Sequence, residues 1–102
     1  DNYIKKFPNL TNNNKEKKVK VAGKLINLTP KEFNLLWTIS SNPKKVFSRD
    51  NLVEKVWGYD YFGDIRTVDT HIKSLRKKLG KNKEEVANYI KTVWGVGYKF
   101  EV

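Results

Sequence analysis

Residues 66–79 read Arg66-Thr67-Val68-Asp69-Thr70-His71-Ile72-Lys73-Ser74-Leu75-Arg76-Lys77-Lys78-Leu79. At the helical step of about 100° per residue, Val68, Ile72, Leu75 and Leu79 collect in one narrow stripe. A stripe of that kind has to pack on a core. Arg66, Thr70, Lys73, Ser74 and Lys77 fall on the opposite side. Between residues 66 and 83 there are seven Lys or Arg and a single acid, Asp69, so this segment holds +6 of the chain's net +10. A helix with an apolar inner face and a cationic outer face suits the DNA major groove.

The rest of the composition narrows the alternatives. A chain of 102 residues is one domain by length. An excess of 21 Lys and Arg over 11 Asp and Glu calls for a polyanionic partner, nucleic acid before an anionic membrane surface. Five Phe, five Tyr and three Trp supply a packed core. With no cysteine there is neither a disulfide nor a Cys-based metal site. His71, the one histidine, has no partner His or Cys for a metal site. No metal and no cofactor is expected. Nor is an enzyme, because there is no glycine-rich phosphate loop and no carboxylate pair. The sequence has no signal peptide and no apolar run near the roughly 20 residues of a membrane span, so a cytoplasmic location and no membrane partner are expected.

Along the chain, residues 1–18 read as a linker remnant with a possible edge strand around Phe7–Thr11. Residues 19–102 read as the folded domain. Val19 and Val21, then Leu25, Ile26 and Leu28, flank Gly23-Lys24 as a tight hairpin. Thr29-Pro30-Lys31-Glu32 starts a helix, with Thr29 and Glu32 as a capping box and Pro30 at the first helical position. That helix runs to about Asn42-Pro43. Val46-Phe47 is a short link. Ser48 caps a second helix whose inner face is Leu52, Val53, Val56 and Trp57, with Gly58 as its stop. The aromatic, acidic loop Tyr59–Asp64 leads into the basic helix. A polar bridge follows, then two β-rich runs, Tyr89–Val93 and Gly97–Val102, joined by a glycine-rich tip. The order predicts an α+β fold: a helix-turn-helix with a β-hairpin wing.

Several runs carry a resemblance: Leu28-Thr29-Pro30-Lys31-Glu32-Phe33-Asn34-Leu35-Leu36, Val46-Phe47-Ser48-Arg49, Leu52-Val53-Glu54-Lys55-Val56-Trp57-Gly58, Arg66-Thr67-Val68-Asp69-Thr70-His71-Ile72, Leu75-Arg76-Lys77-Lys78-Leu79 and Thr92-Val93-Trp94-Gly95-Val96-Gly97-Tyr98-Lys99-Phe100. Together they resemble the C-terminal effector domain of OmpR/PhoB-type response regulators, over about residues 19–102. The resemblance implies an N-terminal antiparallel sheet, three helices and a C-terminal hairpin. It also implies control of transcription by sequence-specific binding to double-stranded DNA, normally on direct repeats beside a second copy of the protein. A receiver domain would precede residue 1, and RNA polymerase would be a further partner.

On these grounds the base-contact candidates are Asp69, Thr70, Lys73 and Ser74. Lys can bond guanine, and Thr can meet a thymine methyl. Asp69 also has a plain account, an i,i+4 pair with Lys73 in the first turn. Ser74 departs from the longer residue that relatives often carry. The DNA-backbone candidates are Trp57, Arg66, Thr67, His71, Arg76, Lys77, Lys78, Lys91, Tyr98 and Lys99. Arg66 could instead pair with Asp64 or Asp69. The wing tip is Trp94, Gly95, Val96 and Gly97. Many relatives place Arg where Trp94 stands, so Trp94 packs the hairpin onto the body, lies against the DNA sugar and backbone, or does both. The polymerase-contact candidates are Tyr59, Asp60, Tyr61 and Phe62, which alternatively pack on the basic helix.

Overall fold

The first four strands follow one another across turns of two to four residues, and the helices come after them. A computed structural model describes residues 2–102. Strands β1 (Ile4–Phe7), β2 (Leu10–Asn13), β3 (Lys18–Val21) and β4 (Lys24–Ile26) form an antiparallel meander in that order. The stretch expected as a single edge strand at Phe7–Thr11 is two strands. Phe7 pairs with Leu10, and Pro8-Asn9 makes the turn between them, with Asn9 at φ 60°. Pro8 lacks the N–H a ladder needs, and Asn tolerates the left-handed region. Residues 4–13 thus belong to the folded body, since Leu10 and Asn12 are buried in it. The hairpin between β3 and β4 turns one residue earlier than expected. Ala22 and Gly23 both take positive φ, as a two-residue hairpin loop requires.

Leu10, Val19 and Val21 line the inner face of this sheet and cover α1 (Pro30–Ser40). The helix starts where its capping box says: Thr29 Oγ1 accepts from the Glu32 amide, and Glu32 Oε1 accepts from the Thr29 amide at 2.9 Å. Phe33, Leu35, Leu36 and Ile39 bury its apolar face. Asn12 Nδ2 donates to Ser40 Oγ at 2.8 Å, a buried polar tie that holds sheet to helix.

The second helix opens at Ser48, again with a capping box, here closed by Asn51. Only Arg49–Leu52 is α-helical (α2); Val53–Trp57 widens into a π-type turn that ends at Gly58, φ 103°. Helix α3 spans Thr67–Gly80, and its stripe of Val68, Ile72, Leu75 and Leu79 is at most 1% exposed. This is the inner face the spacing predicts. The polar bridge contains a one-turn helix, α4 (Glu84–Ala87), with Val86 buried beneath it. Its single apolar anchor is too short a period to register as a helix.

The wing is β6 (Ile90–Val93) and β7 (Gly97–Phe100). A third strand joins them: the expected link is β5 (Phe47–Ser48), which pairs with β7, giving the order β5-β7-β6. At Gly97 a Cβ would overlap the Phe47 carbonyl oxygen, so only glycine allows the two backbones to meet there.

Candidate nucleic-acid interface

Helix α3 presents two kinds of polar surface. Thr70, Lys73 and Lys77 are exposed, and among the described residues their side chains have no hydrogen-bond or ion-pair partner. Asp69, Ser74, Arg76 and Lys78 instead hold other elements in place.

Asp69 is one such residue. Its carboxylate accepts from Arg49 Nε at 2.7 Å and from the Tyr98 hydroxyl. It thereby ties the first turn of α3 to the start of α2 and to the wing. The Asp69–Lys73 pair is not formed. Burial pushes the Asp69 carboxyl up, but the Tyr98 and Arg49 donors outweigh it and leave it below the ordinary range. Tyr98 is raised by burial and by the adjacent carboxylate. Its hydroxyl is committed to Asp69 rather than open to a phosphate.

Ser74 and Lys78 are a second case. Both reach Glu32, which is 3% exposed: Ser74 Oγ donates at 2.6 Å and Lys78 Nζ at 2.7 Å. Ser74 therefore turns toward α1 and not into open solvent. Burial raises the Glu32 carboxyl, and the Lys78, Ser74 and Thr29 donors together bring it below its usual value. Arg76 is the third case. It donates to the Ile90 carbonyl at 2.7 Å and to Thr92 Oγ1 at 2.9 Å, covering the free edge of β6, and its guanidinium lies over the Tyr98 ring.

At the amino end of α3 the amides of Thr67, Val68 and Asp69 donate to the carbonyls of Asp64, Ile65 and Arg66. Arg66 pairs with Asp64 at 2.6 Å, but the arginine is 81% exposed, so the pair is screened and readily exchanged. Thr67 and His71 are half-buried; the Thr67 carbonyl accepts from His71 Nδ1 at 2.8 Å, and the ring stands edge-on to Trp57 with centroids 4.9 Å apart. Trp57 is partly buried under the Lys31 ammonium, 5.6 Å from its ring. In the preceding loop Tyr61 packs on Trp57, while Tyr59 and Phe62 are almost fully exposed and Asp60 faces solvent.

On the wing, Lys91 and Lys99 stand opposite each other across the β6–β7 ladder, and Lys99 pairs with Glu101 at 3.0 Å. Trp94 does not pack on the body; it is 89% exposed, with Val96 and Gly95 beside it. Two residues that matter to this surface escape the sequence reading. Arg49 sits at the first position of α2, where it reads as an ordinary helix-start residue. Glu32 reads as a cap and no more. Their partners lie 20 to 46 residues away in the chain, beyond any local signal.

This geometry meets its family in the known proteins. A family model for the C-terminal domain of transcriptional regulatory proteins matches residues 23–100. The chain belongs to this family. It is a response-regulator effector domain of the OmpR/PhoB winged-helix type. The transcriptional regulatory protein SrrA of Staphylococcus aureus is 50% identical over 96 residues, which cover 94% of this chain and 40% of SrrA. The chain thus spans well under half of that relative. The OmpR/PhoB homolog DrrB of Thermotoga maritima superposes with a TM-score of 0.86 at 36% identity, over 98% of this chain and 45% of DrrB. The RstA DNA-binding domain of Klebsiella pneumoniae, solved in complex with the RstA box, gives 0.82 at 34% identity over 96% of both chains. Among the described residues no helix is long and apolar enough to cross a membrane.

Proposed function

We propose that this effector domain binds double-stranded DNA sequence-specifically by laying α3 in the major groove, as the output of a two-component regulator of transcription. One observation carries the reading. On a helix whose other polar residues are engaged, Thr70, Lys73 and Lys77 form an exposed face with no internal partner. Lys73 and Thr70 are the base readers of this face, and Lys77 takes phosphate. Asp69 and Ser74 act on the DNA only through what they hold. Arg66, Thr67, His71 and the Trp57 indole N–H take the phosphates at the amino end of α3, where the arginine charge and the helix dipole favour anions. Lys91 and Lys99 take the strand under the wing.

The domain is a binding module, not an enzyme, and works in the cytoplasm. One copy reads only a few base pairs, so a second copy on a direct repeat about one helical turn away supplies the rest. A receiver domain governs that pairing through effective concentration. Exposed Tyr59 and Phe62, beside Asp60, offer a contact for RNA polymerase, with Tyr61 bracing the loop.

The test is selection of bound sequences from random duplexes, followed by titration of a selected duplex across a salt series. The expected results are an enriched motif and a log–log salt slope of about −0.9 per phosphate neutralised. No enrichment together with a flat salt response would sink the reading.

A further inference from the structure

The wing tip carries a large apolar surface that nothing in the domain uses. Trp94 is 89% exposed and Val96 48%. The tip is nonetheless held rigidly. The Val96 amide donates to the Val93 carbonyl at 3.0 Å, and Gly95 supplies the φ of +80° that this turn needs. Below the tip, the Gly97–Phe47 contact, the Tyr98–Asp69 bond and Arg76 on Ile90 and Thr92 fix the hairpin to β5 and α3. The indole thus projects at a set distance from the recognition helix.

Its surroundings are cationic. Lys91 and Lys99 oppose each other directly, and of the two only Lys99 has an acidic partner, Glu101 at 3.0 Å. Arg76, Lys91, Thr92 and Trp94 line a shallow groove of about 550 Å³ along the edge of β6. An uncharged ring at the apex of a basic hairpin fits a polyanion that also offers apolar surface between its charges. Stacked bases and sugars between phosphates have that form.

Resting on the DNA-binding reading above, we infer that Trp94 is a wedge: it enters the minor groove and partly unstacks one base step. The wing then selects sequence by how cheaply that step opens. Pyrimidine–purine steps, TA and CA/TG, open most readily, whereas a cationic tip would favour narrow A-tracts. The wedge adds affinity without adding to the salt dependence, because the indole has no charge.

The experiment uses the 102-residue chain and a duplex selected by it, with 2-aminopurine placed in turn at each position flanking the α3 site. Binding should brighten the probe at one step. Trp94→Ala should abolish that signal and weaken binding roughly tenfold, with an unchanged salt slope. Trp94→Phe should restore most of both. Replacing the step by a purine–purine step should weaken the wild type and leave Trp94→Ala indifferent. The inference is overturned if Trp94→Ala binds within about twofold of the wild type and selects the same flanking bases. Lys73→Ala separates the two readings. If it shifts the motif while Trp94→Ala does nothing, the wedge alone fails. If the wild type selects no motif, the underlying reading fails with it.

Discussion

Lys77 and Lys78 are neighbours of the same type on one helix, yet they belong to different regions of the molecule. Lys78 reaches inward to buried Glu32, beside Ser74. Lys77 stands in solvent with no partner among the described residues. The same division runs along the whole of α3. Asp69, Ser74, Arg76 and Lys78 fasten the helix to α1, α2 and the wing, while Thr70, Lys73 and Lys77 are left for a ligand. Net charge therefore overstates the binding surface: part of the +6 of this segment is architecture.

The strongest way to break this division is through Glu32. Its carboxylate accepts from the Thr29 amide, Ser74 and Lys78 at 3% exposure. Glu32→Ala removes the cap and leaves those donors without their acceptor. The expected loss is about 3 kcal/mol in urea unfolding, a fall in Tm on the order of 10–20 °C for a domain of this size. The acid limb gives a second reading. The folded-state pKa of Glu32 is below its ordinary value, so its contribution is complete above the unfolded pKa near about 4.3 and disappears as pH falls through the lower folded value. The wild type should lose stability steeply below about pH 4, and Glu32→Ala should lose it less steeply. Parallel acid curves would mean that the Glu32 cluster does not hold α3.

Asp69 tests the same division at the DNA end. Here the two side chains of the ion pair are 31% and 38% exposed, so the expected effect is smaller. Asp69→Asn should cost about 1–2 kcal/mol of stability. It should weaken all DNA sequences evenly, because the wing and α2 lose their common anchor. The selected motif should stay as it was. A change of preferred base at one position, at unchanged stability, would instead make Asp69 a reader.

What the sequence makes legible follows the reach of each interaction. The Thr29–Glu32 box, the Ser48 cap, the α3 stripe and the wing tip are all decided within four or five residues, and each appears where its residues predict it. The N-terminal sheet is half legible: Val19 and Val21 alternate, but Pro8-Asn9 hides a turn inside what reads as one strand. The candidate site is legible as a face and not as a set of roles. Helical geometry says that Ser74 and Lys77 both leave the core stripe. Only the placement of α1, 42 residues away, makes Ser74 a partner of Glu32. Trp94 misleads in the other direction. A tryptophan is ordinarily a packing residue, but the turn carries this one away from the body.

The smallest expected effects decide the most. Lys77→Ala should leave stability within about 0.5 kcal/mol of the wild type, since no folded contact is lost. It should weaken DNA binding a few-fold for every sequence and flatten the salt slope by about one unit, the signature of one phosphate contact. Lys78→Ala should do the reverse. Glu32 would lose one of its donors, costing about 1 kcal/mol of stability. The salt slope should hold, because Lys78 is neutralised before DNA arrives. The pair thus separates charge that binds from charge that builds, at adjacent positions with the same side chain. Equal changes in slope would show that Lys78 releases Glu32 on DNA. The inward set would then be a reserve of phosphate contacts, and Glu32 would compete with DNA for them.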